Sequence, residues 1–241
     1  MYTTYRQAQT NTYVVVGKKQ ETPSTTTLFL TLQGGTLPPY TPGHYLTVYF
    51  PGSSTLNGKA YSISSTPFEK LLTITVRAIG EFSHRLCAMN CGDTILGSPP
   101  EGFFYTEGTE TDLVMLAGGI GVTPFRGIIL DALQRAPLRE LFLFQSGRTC
   151  GDIVFERGLR MLAHQHKKLR VMRFITRERK VAVPLEMTPR RMRTEDILQT
   201  IYDPTRSTFM ICGAVSFVRE QQRGLRASGV LEEQILTEVC F

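Results

Sequence analysis

Between residues 11 and 105, polar and apolar positions alternate over short runs rich in β-branched and aromatic residues: TYVVVG, TTTLFLTL, HYLTVYF, KAYSISS, LLTITVRAI and DTILGS. Between them stand GGTLPPYTPG, PGSSTLNG and STPFEK, whose glycine, proline and serine content breaks regular structure. Six short strands at this spacing predict an antiparallel β-barrel. One helix, over Ser83–Met89, is expected to interrupt them, where SHRLCAM follows the turn-forming Gly80.

After the polar TEGTET stretch at residues 106–111 the period changes. DLVMLAG, ELFLFQSG, KLRVMRFIT and STFMICG read as buried strands. TPFRGIILDALQRA, DIVFERGLRMLAHQ, TEDILQTI and SFVREQQRGLRASG read as amphipathic helices between them, and a last short strand is expected at Ile235–Val239. This alternation predicts a parallel sheet covered by helices on both faces. The chain is therefore expected to form two domains, an antiparallel β-barrel over residues 1–107 and an α/β parallel-sheet domain over 108–241.

Composition removes several classes of function. The longest apolar stretch, Leu113–Phe125, is 13 residues, short of the roughly 20 that a membrane-spanning helix needs. The opening MYTTYRQAQTNTY lacks the basic-then-apolar pattern of a secretory leader, so a cytoplasmic location is expected. Five cysteines, odd in number and without C-x-x-C spacing, point to neither a disulfide framework nor a metal or iron-sulfur cluster.

Charge is unevenly spread. The net +6 lies entirely after residue 110, and Arg157–Arg193 alone holds 12 basic residues against two acidic ones. That run is either a solvated face or a surface for phosphate or an acidic protein. With Phe174 as its single aromatic, it does not resemble a nucleic-acid stacking platform.

In an open parallel sheet, ligands bind beyond the carboxyl ends of the strands. The first such junction is AGGIGVTP, residues 117–124, where Gly118, Gly119 and Gly121 allow close backbone approach and a helix start offers free N–H groups to phosphate. Thr123 is expected to cap that helix, with Pro124 at its first position. The second junction, QSGR, lacks the acidic residue that would bond an NAD ribose. Ser146 and Arg148 stand there instead, and Arg177 ends the next strand, a set that favours NADPH while leaving NADH possible. Arg190 or Arg191 is a further candidate. The fourth junction carries Cys212 and Gly213, with a buried structural thiol as the alternative reading.

These motifs resemble, in order and over nearly the whole chain, those of the ferredoxin-NADP reductase superfamily. KAYS at Lys59–Ser62 stands for its flavin motif and GEFS at Gly80–Ser83 for its phosphate turn. GGIGVTP, Cys212–Gly213 and the terminal EVCF complete the set. The resemblance implies FAD against Tyr61, with Lys59, Ala60 and Arg77 and the turn residues Gly80, Glu81, Phe82 and Ser83 around its phosphates. Ser62 would act near the flavin N5, and Gly119, Gly121, Thr123, Pro124, Cys212 and Gly213 would hold the nicotinamide. Phe241 would cover the flavin, and Ser62, Cys212 and Glu238 would form the catalytic group. Lys59 departs from the family's arginine and loses its bidentate fork. The implied activity is hydride transfer from NADPH or NADH to FAD, then electron transfer to an acidic carrier such as a ferredoxin, flavodoxin or oxygenase component. The alternatives are a reductase of free flavin and a non-catalytic binding subunit.

Overall fold

The computed structural model describes residues 10–51, 57–105, 111–178 and 182–240. The expected junction at 107/108 and the terminal Phe241 lie outside the described residues.

Strands β1 (Asn11–Thr22), β2 (Thr25–Leu32), β3 (Tyr45–Tyr49), β4 (Lys59–Ser62), β5 (Leu72–Arg77) and β6 (Thr94–Gly97) pair in the order β4-β3-β6-β1-β2-β5. The named strand pairs in this sheet are antiparallel. A bridge between Ile63 and Ile74 joins the two ends of the sheet and closes it into the expected barrel. Strand alternation fixes what lies inside: Leu72, Ile74 and Val76 are fully buried with Tyr13, Val15, Leu28, Leu30 and Ile63. The buried Tyr13 satisfies its hydroxyl on the Ser98 carbonyl at 2.9 Å. Helix α1 (Glu81–Ala88) starts two residues earlier than the sequence suggested and packs Phe82 and Leu86 into the same core.

The second sheet runs β10 (Met187–Thr188), β9 (Leu169–Ile175), β8 (Leu141–Gly147), β7 (Asp112–Gly118), β11 (Ser207–Gly213), β12 (Ile235–Val239), all parallel. Helices α2 (Thr123–Arg135) and α3 (Glu156–Gln165) cover one face through Phe125, Ile128, Ile129 and Leu159. Helices α4 (Thr194–Leu198) and α5 (Val215–Ala227) cover the other through Ile197, Val218 and Leu225. The chain order reverses between β7 and β11, so the crevice beyond those two strand ends is the natural ligand position. No helix among the described residues is long and apolar enough to cross a membrane.

Three local expectations are corrected. β10 was not anticipated, because two residues carry no period. Helix α3 begins at Glu156 rather than near Asp152, because Phe155 takes a left-handed conformation at φ 60° just before it. Thr123 is not a helix cap. It lies inside the first turn of α2, buried, and its hydroxyl donates to the Ile120 carbonyl at 3.0 Å.

The two domains are joined by α2. Arg126 donates to the Ser64 carbonyl at 2.7 Å and to both Glu69 oxygens at 2.9 and 3.0 Å. One turn position on, a Cβ at Gly127 would stand 2.6 Å from the Ser65 carbonyl, so only glycine lets the helix lie this close to the barrel.

Candidate functional site

Three elements meet where the barrel faces the carboxyl ends of β11 and β12. Parallel pairing sets Cys212 opposite Glu238. The Cys212 thiol is 3.8 Å from the Glu238 carboxylate, and Glu238 is hydrogen-bonded to Ser62 at the end of β4. A continuous polar chain therefore crosses from one domain to the other, through the three residues the sequence nominated as catalytic. Burial raises the Glu238 carboxyl above the ordinary glutamate value, while its bonds to Cys212 and Ser62 pull the other way. Contact with Cys240, then burial and the Glu238 carboxylate, push the Cys212 thiol well up, so it stays protonated. Cys240 was not anticipated as part of this cluster. Its Sγ lies 3.4 Å from that of Cys212.

The barrel side is built on an aromatic layer. Phe82 is buried and stands 4.7 Å from Phe50 and 6.4 Å from Tyr61, the latter near-parallel at 19°. Its ring therefore packs in the barrel core rather than at a ligand face. Tyr61 is half-buried, and desolvation raises its hydroxyl. Lys59 is exposed beside it, its ammonium 5.7 Å from the Phe82 ring centre, and Ala60 is exposed as well. At the α1 turn the Ser83 hydroxyl accepts from the Ile79 and Gly80 N–H groups at 2.9 and 3.1 Å and donates to the Gly80 carbonyl. That hydroxyl is spent inside the turn. The anion-binding offer left is the row of N–H groups at Glu81–Ser83, with open space around exposed Gly80.

A second hollow, a cavity of about 260 Å³, opens beyond β7, β8 and β9. Gly119, Ser146, Arg148 and Arg177 line it as expected, joined by Arg77, which reaches over from the barrel to within 3.7 Å of where a Gly119 Cβ would stand. The Arg177 N–H donates to the Arg148 carbonyl at 2.8 Å, which holds the two strand ends side by side. Of the two tandem arginines, Arg190 is tied to Asp196 at 2.5 and 2.6 Å, whereas Arg191 lines the cavity and pairs with Glu220 at its rim. Four guanidiniums against Asp152 and Glu220 leave the hollow positive. The buried Gln221 Oε1, also lining it, has no hydrogen-bond partner within the protein.

Other glycine-loop residues act differently from expectation. Gly121 faces protein: a Cβ there would fall 2.2 Å from the Cys212 carbonyl, so the glycine brings the loop against the end of β11. Gly118 and Gly213 make room for the Phe217 ring, which itself lines the cavity. Pro124 is buried with Thr123 in the start of α2. Phe217, Gln221 and Arg191 were missed or left undecided because the first two read as ordinary positions of an amphipathic helix and the third lies in a loop beyond any strand-end motif.

Residues 115–223 match the oxidoreductase NAD-binding domain family. The chain is 27% identical over 248 residues to a flavohemoprotein of Bordetella pertussis, covering 94% of this chain and 60% of that protein. It is 30% identical over 207 residues to the ferredoxin reductase component of 3-ketosteroid-9-alpha-monooxygenase of Mycolicibacterium smegmatis, covering 83% and 55%. The chain thus spans a little over half of these curated relatives. Among solved structures, the flavohem-like FAD/NAD binding domain of nitric oxide dioxygenase from Vibrio cholerae superposes with a TM-score of 0.84 at 23% identity, covering 95% of this chain and 98% of that one. A ferredoxin NADP+ reductase from Neisseria gonorrhoeae with bound FAD and NADP superposes at 0.79 and 24%, covering 98% and 100%. With a closed antiparallel barrel followed by a parallel sheet, the chain has the two-domain fold of these reductase structures, and its second domain matches the oxidoreductase NAD-binding domain family.

Proposed function

We propose that this protein is an NAD(P)H-dependent flavoprotein reductase, in which residues 1–107 hold FAD, residues 108–241 hold the nicotinamide nucleotide, and electrons leave to a separate acceptor. The observation that carries this reading is the Ser62–Glu238–Cys212 chain at the domain boundary, with an aromatic layer on one side and a basic hollow on the other.

The residues present fit both groups. An exposed Lys59 and the free N–H groups of the α1 turn suit a diphosphate, and the half-buried Tyr61 offers a ring face. The positive hollow, with an orphan carbonyl oxygen at Gln221, suits a phosphorylated nucleotide with donor groups. When bound, FAD accepts a hydride and releases electrons singly. The chain's own residues bind, orient and exclude water: Arg148, Arg177 and Ser146 would take a 2′-phosphate, favouring NADPH over NADH. Ser62 would turn its hydroxyl hydrogen from Glu238 toward the flavin edge when the flavin is bound. Cys212, kept as a neutral thiol, adds no charge beside the nicotinamide, and Glu238 fixes both side chains across the boundary.

The acceptor is an acidic electron carrier of the ferredoxin, flavodoxin or oxygenase-component kind. The monooxygenase reductase relative supports this reading, as does the excess of positive charge after residue 110. Five free cysteines suit a reducing cytosol. The test is the visible spectrum of the purified protein, followed by NADPH and NADH titration without oxygen. A flavin spectrum bleached by either nucleotide is expected; protein that neither carries nor takes up FAD refutes the reading.

A further inference from the structure

The closest pair of thiols in the chain lies next to the residues assigned to hydride transfer, and nothing in that reaction uses the second of them. Cys212 and Cys240 sit on one face of adjacent parallel strands: Cys212 is opposite Glu238, and Cys240 follows two residues later, where strand alternation returns a side chain to the same side. The Cys240 N–H donates to the Gly213 carbonyl at 2.9 Å, which carries the pairing past the end of β12 and holds the two residues together. Their sulfurs are 3.4 Å apart. Cys212 is fully buried, while Cys240 is partly exposed.

We propose that Cys212 and Cys240 form an oxidisable dithiol, a site of peroxide-driven disulfide formation that shuts the adjacent catalytic centre. The difference in exposure sets the order of events. The Cys240 sulfur, open to solvent, attacks one oxygen of hydrogen peroxide, and the thiol proton passes to the departing oxygen. The O–O bond breaks, one water leaves, and Cys240 carries a sulfenic acid. The Cys212 sulfur then attacks the Cys240 sulfur, the S–O bond breaks, and a second water leaves with the proton that Cys212 gives up. Glu238, 3.8 Å from that thiol, is placed to take this proton on its way out. Two thiols lose two electrons and two protons, and one peroxide becomes two waters.

Closure affects the centre because of where the sulfurs sit. They must close from 3.4 Å to a bond of about 2 Å, and Cys212 loses the S–H that it directs at Glu238. Displacements of about 1 Å at reacting groups cost on the order of 100-fold in rate, so the disulfide form should lose tenfold or more of its turnover. This second consequence rests on the reductase reading above; the disulfide itself does not.

The test uses the full chain, reduced, desalted and then titrated with hydrogen peroxide. Peptide mapping without reductant should find the Cys212 and Cys240 peptides cross-linked and lighter by two hydrogens, with dithiothreitol reversing the link. NAD(P)H turnover should fall and recover in step. The Cys240→Ser variant, whose hydroxyl cannot cross-link, should hold whatever turnover it has before treatment through the same peroxide titration. The proposal is overturned if both thiols stay free while exposed Cys91 oxidises, or if Cys240 runs on to sulfinic acid without cross-linking. It is also overturned if the cross-link forms and turnover stays unchanged, or if Cys240→Ser is as sensitive as the parent. A reduced protein with no turnover at all would count against the reductase reading alone, since the mapping still decides the dithiol.

Discussion

Gly127 offers the sharpest test of how the two domains are held. Replacing it with alanine places a Cβ 2.6 Å from the Ser65 carbonyl oxygen, where ordinary contact begins near 3.4 Å, so helix and barrel must part by about 0.8 Å. Neither side yields cheaply. The Ser65 side chain accepts from the Thr73 N–H at 2.9 Å and bonds the Tyr40 hydroxyl at 2.8 Å, and Arg126 clamps the preceding Ser64 carbonyl. Overpacking of this kind costs about 1–3 kcal/mol. Against it stands the gain of alanine over glycine inside a helix, about 1 kcal/mol. The net expectation is a loss of roughly 0–2 kcal/mol, or a melting temperature lower by up to about 4–8 °C for a chain of this size. Because Ser62 precedes the displaced segment by three residues, hydride transfer measured by stopped flow should slow while nucleotide affinity at the distant hollow holds. A variant melting about 2–4 °C higher, the value of the helix gain alone, with unchanged hydride transfer would refute the close-approach account.

Removing Arg148 or Arg177 as alanine should raise the KM for NADPH by about tenfold or more, the worth of a charge-assisted bond, and leave NADH nearly unchanged; steady-state kinetics with both nucleotides reads this directly. Turnover with an acidic carrier should fall as ionic strength rises, and an absence of salt dependence would remove the electrostatic docking. The Arg190 guanidinium beside Asp196, together with the Arg193 N–H, holds that carboxyl below its usual range, so its stabilisation is present above the unfolded value and fades as pH falls through the folded one. Asp196→Asn should therefore cost about 1 kcal/mol near neutrality in urea unfolding, with the gap closing below about pH 4. Glu238 is shifted the other way, so its contribution is full below the unfolded value and lost as pH rises through its raised folded value. Glu238→Gln should thus gain stability on the parent as pH climbs from about 4 toward neutrality, while its hydride transfer falls.

Features written as a period or a motif were readable from the chain. LLTITVRAI reads as a strand of the barrel and is one, with Leu72, Ile74 and Val76 buried, and the strand-end glycines marked the crevice between β7 and β11. What escaped depends on contacts between distant segments. Gly121 reads as a ligand glycine, yet it is fixed by the carbonyl of Cys212, some ninety residues on. Arg190 and Arg191 are chemically alike, and only the position of Asp196 decides that Arg191 is the one left facing the hollow. Part of the basic run meets counter-charge across the fold, through Glu140 for Lys168 and Glu156 for Arg173, and part locally, through Glu156 for Arg160 one helical turn away and Asp196 for Arg190. Cys240 carries no motif, and its neighbour Cys212 is brought to it by the parallel register of the last two strands.

The polar chain from Ser62 to Cys212 has a consequence for how such proteins can be recombined. The seam between the two domains runs through the group proposed as catalytic, with a hydroxyl on one side and a thiol and carboxylate on the other. A cofactor-specificity graft can exchange the far strand ends around Arg148 and Arg177 without touching this seam. A chimera that swaps a whole domain with a relative must instead match the carbonyls of Ser64 and Ser65 to a helix carrying an arginine followed by glycine, and set a new carboxylate against the old serine. Separately expressed halves would each bury a core of their own, yet neither would contain a complete reaction centre.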